Sequence, residues 1–267
     1  MHPAEPFVDI HCHLLPGIDD GARSWAETLE MAKMAVACGI GTIVATPHQG
    51  GSFAGNTADT ICNRVQECQA MLDEHGVALK VLPGADVRIS PEILRDIVRG
   101  SALTLGNHRK HLLLDLPHER YVPIEGLLDD LGRAGVATIL SHPERNQGLL
   151  KKREIVERLV EHGCLMQVTS GSLLGTFGPT CQDLADWMLA RGLVHFVATD
   201  AHGMHSRRPL LLRVYERLIE LVGRDEAILL CCRNPARVAV GEVVTPGRRT
   251  VRVQGNLARW FKRKSAA

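Results

Sequence analysis

His11 and His13 close the apolar run Phe7-Val8-Asp9-Ile10, and far along the chain Val197-Ala198 leads into Thr199-Asp200-Ala201-His202. In an extended strand, residues two apart project from one face, so each pair offers two ligand atoms side by side. Imidazole with carboxylate suits a borderline divalent ion such as Mn, Fe or Zn. With thirteen histidines in 267 residues, one such pair carries little weight. The pattern recurs, however: His48 follows Val44-Ala45-Thr46-Pro47, Asp86 follows Val81 to Ala85, Asp115 follows Leu112-Leu113-Leu114, and His142 follows Ile139-Leu140-Ser141. Asp19-Asp20-Gly21, in a turn after the first run, adds a further carboxylate. The C-terminal ends of strands are where parallel α/β folds place their chemistry, and packing alone does not explain ligands at so many of them.

Elements that would position these residues follow from periodicity. Strands are expected near 7–12, 42–46, 79–85, 111–115, 137–141, 164–169 and 194–199. Helices are expected near 24–38, 57–75, 91–98, 123–134, 150–162, 179–191 and 209–222. Ser24, with Glu27 three residues on, reads as a capping box opening the first helix. The loop Gly50 to Asn56 reads as a flap beside the site or a plain connection. Seven alternations without an internal repeat predict one α/β domain: a distorted seven-stranded (β/α)7 barrel, with an open doubly wound sheet as the alternative. Closure is preferred because it brings ligands from the first and last strands to one centre.

The net charge of +1 argues against an extended nucleic-acid surface. Eight cysteines without a C-x-x-C pair are expected to be reduced, mostly core residues, rather than the nucleophile of a Cys-x5-Arg phosphatase loop. Cys12 falls on the face opposite His11 and His13. No signal peptide or membrane span is read, so the expected location is the cytoplasm. The domain is expected over 1–247, followed by a basic tail over 248–267 that contains Arg248, Arg249, Arg252, Arg259, Lys262, Arg263 and Lys264 and no acidic residue. Such a tail can meet an acidic partner or lie near a membrane surface, though a solvated terminus is the plainer reading.

Taken in order, Asp9-Ile10-His11-Cys12-His13, Asp19-Asp20-Gly21, Ala45-Thr46-Pro47-His48, Gly84-Ala85-Asp86, Leu114-Asp115, Ser141-His142-Pro143-Glu144-Arg145 and Ala198 to His202 resemble the PHP (polymerase and histidinol phosphatase) superfamily. The chain is most similar to its bacterial manganese-dependent protein-tyrosine phosphatases of the CpsB/YwqE type. Gln167 to Gly175 and Arg207-Arg208-Pro209 add to that likeness, which runs from about residue 8 to 240.

The resemblance implies a PHP-type barrel with three divalent metal ions, Mn foremost and Fe or Zn as alternatives. One ion would take His11, His13, Asp86 and Asp200. A second would share Asp86 and add Asp115 and His142; the third would take Asp20, His48 and His202, with Asp115 bridging. Positions 86 and 115 carry Glu in the family pattern, and Asp is one methylene shorter. Clustered ions would supply a hydroxide nucleophile and neutralise phosphoryl oxygens. Arg145 and Arg208 are placed to fork onto phosphate. The implied partner is a phosphotyrosine-bearing protein, such as a tyrosine kinase of polysaccharide export. A small phosphate ester such as histidinol phosphate, a nucleic-acid end, or a non-catalytic metal-stabilised module are the alternatives. His75, His108, His111, His118, His162, His195 and His205 are assigned to surface or core.

Overall fold

The computed structural model describes residues 3–255. Strands and helices alternate as β1 (Phe7–Cys12), α1 (Trp25–Ala37), β2 (Ile40–Ala45), β3 (His48–Gln49), α2 (Ala58–Glu74), β4 (Lys80–Pro83), β5 (Asp86–Arg88), α3 (Ile93–Arg99), β6 (His111–Asp115) and α4 (Glu125–Arg133). They continue as β7 (Ala137–Ser141), α5 (Gln147–Lys151), α6 (Glu154–Glu161), β8 (Leu165–Thr169), α7 (Ser170–Leu173), α8 (Pro179–Ala190), β9 (Phe196–Ala198), α9 (Leu212–Val222) and α10 (Arg224–Ile228). A π-helical turn, Leu229–Arg233, then leads into α11 (Asn234–Ala239). Ser24 caps α1 by accepting from Glu27 N, while the Glu27 carboxylate accepts from Arg23 N, one residue earlier than a capping box requires.

Every strand pair is parallel. The strands form two sheets, β1-β2-β4 and β3-β5-β6-β7-β8-β9, where the sequence predicts one closed barrel. The division arises at Thr46-Pro47, between β2 and β3, and at Gly84-Ala85, between β4 and β5. Pro47 has no N–H to give to a ladder, so pairing lapses there. β1 meets the far end of the second sheet through one bridge, Cys12 to Ala201, and through Asp200 N to His11 O at 2.7 Å and His13 N to Ala201 O at 2.8 Å.

Side-chain alternation divides the core. Val8, Ile10, Val44, Leu113, Ile139, Leu165, Phe196 and Ala198 form an inner apolar cluster, closed from below by Leu105, Val238 and Ala239. Leu112, Leu114, Leu140, Met166, Val168 and Val197 face the helices instead. Ile10 and Cys12 are two apart yet lie in different clusters, because the β1–β2 register is irregular between Asp9 and Cys12. Cys12 is fully buried away from the ligands, as its spacing predicts.

The helix expected over 150–162 is two. Asn146 accepts from Gly148 N and Leu149 N, starting α5 early, and Lys152 leaves helical geometry before α6. The helices from α10 to α11 were not foreseen. Asn234 ties them in by donating to His195 O at 3.0 Å.

From 248 to 255 the chain stays against the domain. Arg249 N donates to Gly192 O, Arg249 pairs with Glu226 at 2.7 Å, and Gln254 N donates to Leu221 O. Arg259, Lys262, Arg263 and Lys264 of the expected tail lie outside the described residues. Among the described residues, no helix is long and apolar enough to cross a membrane.

Candidate metal centre

The inner face of the strands carries apolar residues below and polar residues above. Two residues past Leu113, Leu165 and Ala198 on the same face come Asp115, Gln167 and Asp200. The period of two thereby delivers three polar side chains to one end of the sheet, where His11 and His13 arrive from β1. Backbone strain helps to aim them: His142, Asp200 and Arg207 adopt positive φ of 33°, 52° and 50°. Such conformations persist where surrounding structure enforces them; of the five among the described non-glycine residues these three lie at the site, while Asn107 and Arg109 lie elsewhere.

All nine ligands expected from the sequence come together. Those of His13, Asp20, His48 and His202 form one group whose ligand atoms lie within 4.8 Å of one another. His11 with His142 and Asp200, His11 with His13 and Asp86, and His48 with Asp86 and Asp115 form others by the same measure. His11 Nε2 lies 3.3 Å from both Asp200 Oδ1 and His13 Nε2, and 3.8 Å from Asp86 Oδ2. His48 reaches Asp86 at 3.3 Å and Asp20 at 3.5 Å, and His202 reaches Asp20 at 3.4 Å. Asp115 is outside the group of His13, Asp20, His48 and His202 but shares a group with His48 and Asp86, between the second and third expected sites.

The outer nitrogens of the first two histidines are held. His11 Nδ1 meets Gln167 Oε1 at 2.8 Å and His13 Nδ1 meets Asp19 Oδ2 at 2.7 Å, which turns both Nε2 atoms toward the centre. Asp19 also accepts from Gly21 N and His48 N. Gly21 is required here, since a Cβ would stand 2.3 Å from His13 O. Neither Gln167 nor Asp19 was singled out as a ligand support in the sequence, although both lie inside the motifs quoted above.

The electrostatics fit cations. Asp86 Oδ1 and Asp115 Oδ1 are buried without a hydrogen-bond partner, a costly arrangement for carboxylates unless a cation meets them. Burial and the neighbouring charge of Asp86 push the Asp115 carboxyl up. Burial opposes ionisation of Asp200, but His11, His13 and Arg207 outweigh it and hold the carboxyl well below its usual range. Burial holds the His11 and His142 rings down, as neutral ligands require. Burial opposes charge on His13 too, yet hydrogen bonds to Asp19 and Asp200 push that ring up to about 10. A metal ion must displace that proton, so binding there is linked to pH.

Three arginines reach the acids. Arg145 Nη1 donates to Asp200 Oδ2 at 2.6 Å, Arg207 pairs with Asp200 Oδ1, and Arg88 Nη1 donates to Asp115 Oδ2 at 2.8 Å. Arg208 is exposed and lines a neighbouring 400 Å³ cavity with Phe177, Leu174 and Arg213. Arg88 went unnoticed in the sequence because it follows a ligand in a strand too short to show alternation. His118, assigned there to surface or core, stands with Asp115 and His142, the three ligand atoms within 4.8 Å.

Cysteine chemistry is absent from this centre. One Cys-x5-Arg spacing does occur, Cys231 to Arg237, but it runs from the π-helical turn into α11 rather than around a phosphate-sized loop. Burial raises the Cys231 thiol well above its usual range, and none of the eight cysteines is in a disulfide.

A family profile described as capsular polysaccharide synthesis, CpsB/CapC, matches residues 7–239. The chain belongs to this family. It is 38% identical over 202 residues to the tyrosine-protein phosphatase YwqE of Bacillus subtilis (strain 168), covering 75% of this chain and 79% of that protein. It is 25% identical over 242 residues to the tyrosine-protein phosphatase CpsB of Streptococcus pneumoniae, covering 89% of this chain and 100% of that protein. A solved structure from work on YwqE and CpsB, called there unique metal-dependent tyrosine phosphatases, superposes with a TM-score of 0.85 at 32% identity. The match covers 91% of this chain and 99% of that one. This chain thus shares the fold of that solved structure.

Proposed function

We propose that this chain is a metal-dependent protein-tyrosine phosphatase of capsule or exopolysaccharide synthesis, acting in the cytoplasm on a phosphotyrosine-bearing protein such as a tyrosine kinase of polysaccharide export. One observation carries the reading: nine His and Asp side chains, eight from or just past six strands and Asp20 from the turn after β1, meet at one end of the sheets, in a chain 38% identical to YwqE. The fold reading goes with it. Joined across their short breaks, β2 with β3 and β4 with β5 make seven strand paths, which suits a distorted seven-stranded PHP-type barrel.

His11, His13, Asp86 and Asp200 would hold one ion, Asp86, Asp115 and His142 a second, and Asp20, His48 and His202 a third, with Mn the leading candidate and Fe or Zn the alternatives. Bound divalent ions supply Lewis acidity, which acidifies water and offsets charge on phosphoryl oxygens. The protein's own part is positional. Gln167 and Asp19 fix the two histidine tautomers, and the shared pairing of Arg145 and Arg207 with Asp200 keeps two guanidinium groups at the rim, where a phosphate monoester would arrive. Arg208, on the adjacent cavity, offers a third cation to the incoming ester.

The test is a kinetic panel on the full chain with added Mn, comparing a phosphotyrosyl peptide, a phosphoseryl peptide and histidinol phosphate. The expected result is preference for the phosphotyrosyl peptide, abolished by chelation and restored by Mn. His11→Ala, His142→Ala and Asp200→Ala should each lower metal content by elemental analysis and depress turnover. Preference for histidinol phosphate would move the substrate class, and full metal content in all three variants would contradict the ligand assignment.

A further inference from the structure

Among the groups that the nine ligands leave over, the ring of His118 stands out, because it stands beside a buried acid, Asp115, that pairs with Arg88 through one oxygen and leaves the other without a partner. The His118, Asp115 and His142 ligand atoms lie within 4.8 Å of one another, and Asp115 Oδ1 is the buried oxygen without a hydrogen bond. The His118 and His142 rings are 5.1 Å apart and nearly perpendicular, at 85°, an arrangement that lets two ring edges converge without stacking. Ligands at about 2.0–2.2 Å from one tetrahedral ion lie about 3.3–3.6 Å from each other, so closing this triad needs a movement on the order of 1 Å, within the reach of side-chain rotation.

His118 is also held in place. It sits in the loop after β6, and that loop is fastened to the turn that follows His142. Asn146 Nδ2 donates to Pro117 O at 2.7 Å and to Arg120 O at 2.9 Å, and Gln147 N donates to His118 O at 2.8 Å. Gly148 lets the loop approach, because a Cβ there would stand 2.4 Å from Tyr121 N. The backbone carrying His118 is thus fixed to the backbone carrying His142 on both sides. A ligand on a fastened loop loses less conformational entropy on binding than one on a free loop.

We infer that His118 is a tenth metal ligand, which completes with Asp115 and His142 a two-imidazole, one-carboxylate face for a borderline divalent ion. The inference rests on the metal-dependent reading above and adds to it a residue that its ligand sets do not contain. A face of this composition suits Fe(II) and Zn at least as well as Mn, so the ion held here is the one most open to exchange between metals. His118 is partly exposed, which places this ion at the mouth of the centre rather than at its floor.

The experiment titrates Mn(II) into the chelator-stripped full chain, following free Mn(II) by electron paramagnetic resonance, with elemental analysis after separate exposure to Mn and Zn. His118→Ala, His118→Glu, His142→Ala and the unaltered chain are compared, and circular dichroism melts check folding. His118→Ala should bind one ion about 10–100-fold more weakly, or lose it, while the remaining ions and the melt are retained. His118→Glu, which restores a ligand of similar reach, should recover most of that affinity. Equal stoichiometry and affinity in His118→Ala and the unaltered chain would overturn the assignment. If that unaltered chain hydrolyses phosphotyrosyl peptide with metal, only the role of His118 falls; if it binds no divalent ion, the functional reading falls with it.

Discussion

The guanidinium of Arg145 lies 2.6 Å from Asp200 Oδ2 and rests on the Phe177 ring, 4.3 Å from its centroid. Arg145 follows β7 and Asp200 follows β9, so this contact ties two strand ends together at the edge of the metal centre. The flat ring supports the planar cation from one side and leaves its other donors free. Asp200 is accordingly shared between the histidines of the centre and the cations at its rim.

Because Arg145 is expected to meet the phosphate rather than the metal, Arg145→Ala should leave metal content intact and lower kcat/KM for a phosphotyrosyl peptide. Losing one charge-assisted hydrogen bond of about 1.5–3 kcal/mol corresponds to roughly 10–150-fold. Arg208→Ala should act in the same direction, mainly through KM. A fall in bound metal in Arg145→Ala would mean that the residue supports Asp200 instead.

Gln167 and Asp19 act through the histidines that they hold. Gln167→Ala frees His11 Nδ1 and Asp19→Ala frees His13 Nδ1, and each should weaken metal binding about 10–100-fold without removing a ligand. Gln167→Glu keeps an acceptor for the His11 ring, so isothermal titration with Mn should show much of the affinity retained. Equal affinities in the alanine variants and the unaltered chain would show that neither contact orients its ring.

Thiol alkylation should leave turnover intact. Cys12, Cys38, Cys68, Cys164, Cys231 and Cys232 are buried, and burial pushes the Cys68, Cys164 and Cys232 thiols up to about 12. Cys62 on α2 and Cys181 on α8 are the half-buried ones, and neither belongs to the ligand groups. Iodoacetamide should therefore modify these two first with little change in rate. Loss of activity in step with labelling, while metal content stays constant, would return a cysteine to the mechanism.

The parts of the fold that rest on simple repetition were legible. Asp115 and Asp200 sit two residues past buried Leu113 and Ala198, and strand alternation alone puts them on the inner face. His11 depended on an irregularity: without the register shift in β1, Ile10 and Cys12 would share a face. The short strands β3 and β5 lie just past the expected strands 42–46 and 79–85, and at two and three residues neither is long enough to show a period of its own. His118 and Arg88 escaped because their placement comes from long-range fastening, by Asn146 and by Asp115, which leaves no local period in the chain.

His195, read from the sequence as a surface or core residue, gives the protein an acid-sensitive joint. Its Nδ1 accepts from Met166 N at 3.0 Å and its Nε2 donates to Gly247 O at 3.1 Å, a pattern that only the neutral ring can make. Burial, with help from the charge of Arg249, pushes the ring down to about 4 from its ordinary 6.5. The unfolded chain therefore takes up a proton between these values that the folded chain refuses, so the stabilisation is complete above about pH 6.5 and is lost as pH falls toward 4. The size of the shift corresponds to about 3 kcal/mol across that window. His111, also pushed down to about 4 by burial, adds in the same direction. Denaturant melts of the metal-free chain at intervals from pH 7 to 4 should show stability falling, and His195→Gln, which cannot titrate, should flatten the slope although it lowers stability at pH 7. An unchanged slope in His195→Gln would assign the acid sensitivity elsewhere.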